Sequence, residues 1–370
     1  MYEQDLRTVL TLDAGGTNFV FSAIQGCKEV VTPIRRAAVP DNMERCLSTL
    51  VEGFREVESK LTEKPVAISF AFPGPADYEH GVIGDLPNFP AFRGGVAMGP
   101  FLAEQFGLPV FINNDGNLFA YGEALAGTLP EINKCLESSG SPRRYKNLLG
   151  ITLGTGFGGG VVIDGRLLTG DNGCGGDVWL MRNPKYPQLT SEESVSIRAV
   201  RRVYQERSGE DASQLTPKDI FDIAEGIREG DQQAAIDSFQ ELGRVAGDAI
   251  VHALDIVDGL VVIGGGVAGA AKYILPGIMK EIEQPVGSLS GDSYPCLQME
   301  VFNLEDKEGL AAFLTEKDSS IKIPFSQNTI PYIAHKKVGI AVSSLGTSQA
   351  ISLGAYAYAL AELDRQKLNP

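Results

Sequence analysis

Apolar residues recur along this chain in short runs, many of them β-branched or aromatic, separated by polar and glycine-rich turns. Runs at 8–12, 19–24, 66–72, 109–112, 148–153, 160–163 and 260–263 predict strands. Apolar positions three and four apart predict helices around 43–60, 117–126 and 235–257, the second of them amphipathic. A further helix start is marked by Thr216 as cap, Pro217 in the first turn and Asp219 near the positive end of the dipole. Strands alternating with helices predict α/β architecture. Segments 127–147 and 287–337 mix Pro, Ser and charge without a period and predict irregular insertions on that scaffold.

A repeat lies inside this pattern. "LTLDAGGTNFVFSAIQG" (10–26) and "ITLGTGFGGGVVIDG" (151–165) share one plan of strand, glycine turn and strand. Such a duplication predicts two lobes, each carrying one hairpin. Length agrees, because 370 residues exceed one typical domain.

Composition narrows the partners. The chain is 43% hydrophobic and 21% charged, with a mean hydropathy of −0.02, as in a soluble globular enzyme. A net charge of −15 argues against nucleic acid or an anionic membrane as the main partner. The five cysteines show no CxxC pairing and read as thiols in a reducing compartment. Three scattered histidines disfavour a zinc site. The polar start reads as no secretory signal, and no apolar run reaches the roughly 20 residues of a membrane span, so a cytoplasmic location is expected.

The glycine turns carry the candidate chemistry. Gly15-Gly16-Thr17-Asn18 and Gly154-Thr155-Gly156 can converge backbone N–H groups and a hydroxyl on phosphate oxygens. Either turn alone also suits a plain hairpin. The third cluster, Gly264-Gly265-Gly266, ends a strand before a helix but does not read GxGxxG. Three clusters together favour a nucleotide. Asp13 then stands where it would repel a polyphosphate unless it holds Mg²⁺, directly or through water; an Asx-type turn bond is the plainer role. In "NNDGN" (113–117), Asp115 follows a strand and suits a general base for phosphoryl transfer to a hydroxyl, with helix capping as the plainer role. Asn114 is placed to hold the same substrate.

Taken together, these motifs resemble the ROK family of sugar kinases and related repressors, in the actin/hexokinase superfamily. The resemblance covers nearly the whole chain: Asp13–Asn18, "FAFPGPAD" (70–77), "LPNFP" (86–90), "NNDGN" (113–117), "GTGFGGGVVIDGRLLTG" (154–170), "VIGGGVA" (262–268) and "SSLGTSQAISLGAYAYAL" (343–360). It implies an α/β, two-lobed actin-like ATPase (ribonuclease H-like) fold with duplicated β-hairpin phosphate loops and substrates in the cleft. It makes Asp115 the catalytic base and puts the adenosine near Gly264–Gly266. Asn88 and Asn114 match positions that hydrogen-bond sugar hydroxyls.

The departures fall on the sugar side. Family kinases carry Glu-x-x-His and then a cysteine-rich zinc loop; here "NGCGGDVWLMRN" (172–183) puts Asp177 at the glutamate and Leu180 at the histidine, without the cysteines. In "SEESVSIRAV" (191–200), Glu192 matches another sugar-binding glutamate by its spacing to Ser196, with Glu193 a close competitor.

The expected protein is therefore an ATP-dependent kinase of a hexose or N-acetylhexosamine, using Mg²⁺ and no zinc. A catalytically impaired sensor and a kinase for a non-sugar substrate are the rival readings. The expected lobes are 1–114, with 348–370 packing back on it, and 115–347. With the first strand so near the start, the DNA-binding element of the family's repressors is not expected, and a homo-oligomer such as a dimer stays open.

Overall fold

Leu10 and Leu12 face one side of the first strand and Val9 the other, so alternation alone sets two cores on opposite faces of one sheet. The computed structural model describes residues 2–14, 18–39, 41–74, 76–84, 92–316 and 320–368. Contacts divide the chain into two units: Met1–Gly127, Gly160–Gly176 and Ser344–Pro370 form the first, Thr128–Gly159 and Asp177–Ser343 the second.

The chain enters the first unit through β1 (Val9–Ala14), β2 (Asn18–Gln25), β3 (Lys28–Glu29), β4 (Ile34–Ala37) and α1 (Met43–Glu58). It continues through β5 (Ala67–Ala71), the small hairpin β6 (Ala76–Asp77) and β7 (Val82–Ile83), α2 (Met98–Phe106), β8 (Val110–Asn113) and α3 (Asp115–Ala126). The sheet runs β3-β2-β1-β5-β8, with β4 beside β2. β1 is antiparallel to β2 and parallel to β5, and β5 is parallel to β8. Helix α1 is capped by Asn42, whose side chain accepts from Arg45 N, and buries Cys46, Leu50, Phe54 and Val57 at helical spacing against one face.

Beyond α3 come α4 (Thr128–Ser138), β9 (Leu148–Leu153), β10 (Phe157–Ile163) and β11 (Arg166–Leu167). Then come α5 (Ile197–Ser208), α6 (Pro217–Ala224), α7 (Gln232–Val257), β12 (Leu260–Gly264) and α8 (Ala271–Ile282). The last stretch holds β13 (Pro285–Gly287), β14 (Ser293–Pro295), β15 (Glu300–Asn303), α9 (Lys307–Leu314), β16 (Ser320–Lys322), β17 (Thr329–Pro331), β18 (Lys337–Val342) and α10 (Thr347–Leu368). The second sheet is ordered β11-β10-β9-β12-β18-β15, and the division between units falls inside β10. β9, β12, β18 and β15 are mutually parallel.

Helix α10 closes the first unit by lying on α3 and on the second face of its sheet, where Leu353, Tyr356, Ala359 and Leu360 meet Val9, Ile24 and Ala67. The two helices approach to backbone contact. A Cβ on Gly354 would stand 1.9 Å from the Leu118 carbonyl oxygen, and one on Gly122 would stand 1.9 Å from that of Ala350.

Several expectations change. Helix α3 starts at Asp115, not 117, and is not amphipathic: Gly116 through Ala124 are all buried, because α10 and the β10–β11 ribbon cover it. Segment 127–147 is not irregular. Leu129, Ile132 and Leu136 recur at helical spacing and form the buried stripe of α4, and Asn133 exchanges two 2.8 Å hydrogen bonds with the Tyr145 backbone, which pins the connection from α4 to β9. Segment 287–337 contributes β15 to the sheet and α9, capped by Asp306; only its remainder is two short hairpins. Helix α7 begins at Gln232 rather than 235 because Asp231 caps it, accepting from Ala234 N at 2.9 Å. The start at Thr216 stands as expected, with a complete capping box to Asp219 and Pro217 at the first position. No helix among the described residues is long and apolar enough to cross a membrane.

Candidate active site

Three parallel strands of the first unit end side by side. Leu12 is in register with Phe70, and Ala71 with Asn113, so β1 ends at Asp13–Ala14 beside the ends of β5 and β8. The carboxyl ends of parallel strands are where α/β proteins place ligands.

From β8 the chain passes straight into α3. Asn114 is extended and caps the helix, its Oδ1 accepting from Asn117 N at 2.6 Å. The cap is thus Asn114, and Asp115 is the first helical residue, its Oδ1 accepting from Gly116 N at 2.9 Å. With one lone pair of its oxygen used in the cap, Asn114 still offers Nδ2 as a donor and the second lone pair of Oδ1 as an acceptor. Asn113 fixes the turn from beneath. Its Oδ1 accepts from Asn114 N at 2.8 Å and from Asn117 Nδ2 at 2.9 Å, its carbonyl accepts from Phe72 N at 2.9 Å, and its side chain meets the Tyr358 hydroxyl of α10.

Asp115 is reached by solvent while protein surrounds it on most sides. That desolvation raises its carboxyl above the usual aspartate value, and the negative charge of Asp13 adds to the rise. Asp13, at the end of β1, is the kind of carboxylate that suits Mg²⁺, which binds through one or two carboxylates and completes its shell with water and phosphate. Asn18 opens β2 opposite Ala37. Gly15, Gly16, Thr17 and Asn88 lie outside the described residues.

The second unit gathers a different set. Gly154 N donates to Gly156 O at 3.0 Å to close the turn between β9 and β10. Thr155 is exposed at its tip, and its hydroxyl has no partner among the described residues. Glu192 lies under this turn: its Oε2 accepts from Phe157 N at 3.1 Å and would sit 2.5 Å from a Cβ on Gly156. Arg198 pairs with both glutamates, with Glu193 at 3.0 Å and with the other oxygen of Glu192 at 3.5 Å, but only Glu192 also bonds the turn. Ile197 N, at the start of α5, donates to Gly154 O at 2.9 Å, so Glu192 and the entry to α5 strap the turn twice. Asp177 precedes a short 3-10 turn (178–180) and is half-buried, and desolvation raises its carboxyl. Ser191 ties that turn to Glu192, its hydroxyl donating to Val178 O at 3.0 Å. The Leu180 side chain is exposed and, being apolar, offers no donor or acceptor.

Gly264 ends β12 in register with Thr152. Gly265 has φ +93°, and a Cβ there would meet Leu153 O at 2.2 Å, so this glycine is demanded by packing onto β9. Val267 N donates to the same Leu153 oxygen at 2.9 Å, which joins the two glycine turns of the unit. Gly154 and Gly266 have nothing within 4 Å of a built Cβ. Open backbone at those two positions fits the approach of a polyphosphate or nucleoside.

The first unit thus assembles Asp13, Asn114 and Asp115, and the second assembles Gly154–Gly156, Gly264–Gly266, Asp177 and Glu192. Sequence reasoning missed Asn113, Asn117 and Tyr358 as supports of Asp115; the Asn-x-x-Asn spacing of 114 and 117 was the available signal. Among the described residues, no three His, Cys, Asp or Glu side chains gather as a metal group. A cavity of about 300 Å³ lined by Leu6, Thr8, Gln25 and Lys60 lies at the amino end of β1, away from Asp13.

The profile of the ROK family matches residues 9–315. A crystal structure of glucokinase from Parabacteroides distasonis is 57% identical, with a TM-score of 0.88 over 97% of this chain and 99% of that one. Glucokinase of Thermotoga maritima is 28% identical over 293 residues, 74% of this chain and 86% of the relative. N-acetyl-D-glucosamine kinase of Vibrio cholerae is 27% identical over 275 residues, 69% and 83% of the two chains.

Proposed function

The chain belongs to the ROK family and is an ATP-dependent sugar kinase, and we propose that Asp115 is its catalytic base and glucose its sugar. The observation that carries the base is the turn itself: a carboxylate with a raised pKa, open to solvent, at the first position of a helix whose entry is locked by Asn113, Asn114 and Asn117. Glucose is favoured by the P. distasonis glucokinase, which is 57% identical.

In this reading Asn114 Nδ2 and Asn88 donate to sugar oxygens, and Asp177 and Glu192 accept from sugar hydroxyls. Asp115 aligns one hydroxyl and takes its proton as that oxygen bonds to the γ-phosphorus and the bond to ADP breaks. Phosphoryl transfer has a loose transition state, so alignment and late proton uptake are what a carboxylate must supply. The glycine turns at 15–18, 154–156 and 264–266 hold the nucleotide through backbone N–H groups, with Thr17 and Thr155 adding hydroxyls. Asp13 is the residue that would hold Mg²⁺, which supplies charge neutralisation to the polyphosphate. The strap from Ser191 to the carbonyl of Val178, the residue after Asp177, would support Asp177 on the sugar side.

A coupled assay of ADP release over glucose, N-acetylglucosamine, other hexoses and acetate tests the function. Glucose should give the highest kcat/KM; acetate as best acceptor, or no turnover with any sugar, would overturn the reading.

Two predictions belong to this site. Asp115 must be ionised to act, and burial raises its carboxyl, so kcat/KM should fall with decreasing pH on a limb above the ordinary aspartate value of 3.8. A pH–rate profile whose acid limb sits at the ordinary value would count against it. The second prediction separates the adjacent glutamates. Glu192→Gln keeps an oxygen for Phe157 N but removes the charge, so KM for sugar should rise by about 10–100-fold, the worth of a hydrogen bond to a charged group. Glu193→Gln should change KM by less than about twofold, as for an exposed ion pair.

A further inference from the structure

Trp179 is the chain's one tryptophan, and nothing in the sugar reading has used it. It stands two residues after Asp177 in the 178–180 turn, and it is 38% exposed. An indole gains most by burying its surface and pairing its N–H. Here the N–H has its partner while much of the ring is uncovered. It faces the Asp177 carboxylate and works against the desolvation that discourages charge there. One side chain thus holds the acid by its polar edge and leaves apolar ring open to a ligand. Leu180 and Leu189 are exposed in the same segment, so this apolar surface is local and not scattered.

The backbone that carries the ring is fixed. Val178 is buried, and the Ser191 hydroxyl lies 3.0 Å from the Val178 carbonyl oxygen and 3.1 Å from that of Trp179. Ser191 N donates to Met181 O at 2.8 Å, and Met181 N to Val178 O at 3.1 Å. Arg182 then pairs with Thr190 as an isolated β-bridge. Asn183, wholly buried, donates from Nδ2 to Thr190 O at 3.1 Å and to Ser194 Oγ at 2.9 Å. Support of this kind is what a binding side chain needs to keep one geometry.

We propose that Trp179 is a sugar-binding residue: its N–H fixes the Asp177 carboxylate, and its exposed ring carries the C–H face of the pyranose whose hydroxyl donates to that carboxylate. The inference rests on the reading of Asp177 as a sugar ligand. An ionised carboxylate only accepts, so it takes hydroxyl donors. A pyranose presents hydroxyls around its rim and C–H groups on its faces. A ring and an acid held two residues apart on one turn match both features at once. Leu180, the next residue, could supply apolar contact but nothing to orient the acid.

With a single tryptophan, the indole emission of the full chain reports this ring alone. Glucose added to protein already holding a nonhydrolysable nucleotide should change that emission saturably. Trp179→Phe keeps a ring and loses the N–H, and should raise the glucose KM about tenfold, as for a hydrogen bond to a charged group. Trp179→Ala loses the ring as well and should raise it a further ~5-fold. In both variants kcat and the thermal midpoint should stay near wild type, the sign of lost binding alone. Leu189→Ala, also exposed in this segment, should leave KM unchanged. Emission that answers the nucleotide but not glucose would overturn the inference. So would a wild-type KM in both Trp179 variants, or a lowered midpoint with kcat falling alongside. Each of those outcomes leaves the kinase reading standing if the wild type still turns over glucose. A wild type that turns over no sugar would overturn both.

Discussion

Asp115→Asn is expected to lower kcat by about 10²–10⁴-fold, the span of a lost general base, while the affinity for ATP stays near wild type. The amide is isosteric, so the bond from Gly116 N to the Oδ1 position survives and α3 keeps its entry. What is lost is the ability to take a proton and the charge that orients the hydroxyl. Nucleotide affinity should hold because the glycine turns of the second unit form without Asp115, tied by Leu153, Ile197 and Glu192. Removing one carboxylate also relieves the repulsion between Asp13 and Asp115. Stability should therefore stay the same or rise, which separates a catalytic loss from an unfolded protein. Steady-state kinetics with calorimetric titration of a nonhydrolysable nucleotide in magnesium buffer makes the measurement. A kcat within threefold of wild type would remove Asp115 from its role.

Gly354→Ala is expected to cost stability heavily, about 3 kcal/mol or more. The added methyl would stand 1.9 Å from the Leu118 carbonyl oxygen, and that neighbour is helix backbone with no rotamer to yield. The helices must part instead. Parting them opens the packing of Leu353 and Tyr356 on the sheet and moves Tyr358 away from Asn113. The defect should thus reach kcat as well, by loosening the turn that presents Asp115. Exposed alanines elsewhere on a helix would be neutral or better, because alanine is the stronger helix former. Denaturant titration of wild type and variant decides it; coincident midpoints would mean that the crossing is not as close as described.

What could be read along the chain was local in origin. β-branched runs placed β1, β2, β5, β8, β9, β10 and β12 but not β3, β4, β11, β15 or β18, and the echo between 10–26 and 151–165 reported two hairpins. Thr216, Pro217 and Asp219 marked a helix start because capping involves residues only three positions apart. Family membership was legible for a related reason: glycine turns and the "NNDGN" run need particular residues at fixed spacing. The segments misread were those in which burial came from elsewhere. Helix α3 looked amphipathic, yet α10, more than 220 residues downstream, covers the face that polarity left open. Segment 127–147 looked irregular because Leu129, Ile132 and Leu136 are a thin stripe among charges, and only a packed neighbour makes such a stripe a helix.

The same division applies to the site. Sequence by itself named Asp13, Asp115 and the glycine turns, since each is a short-range grammar of strand, turn and acid. It preferred Glu192 by the spacing to Ser196, with the adjacent Glu193 a close competitor. Tertiary structure put Glu192, and not Glu193, under the Gly154–Gly156 hairpin while Arg198 pairs with both, made Asn114 the cap in place of Asp115, and showed Gly265 to be required by the Leu153 carbonyl. Those outcomes depend on which backbone comes within a few ångströms from a distant part of the chain. Periodicity and propensity cannot carry that information, because they report what a segment prefers and not what it will meet.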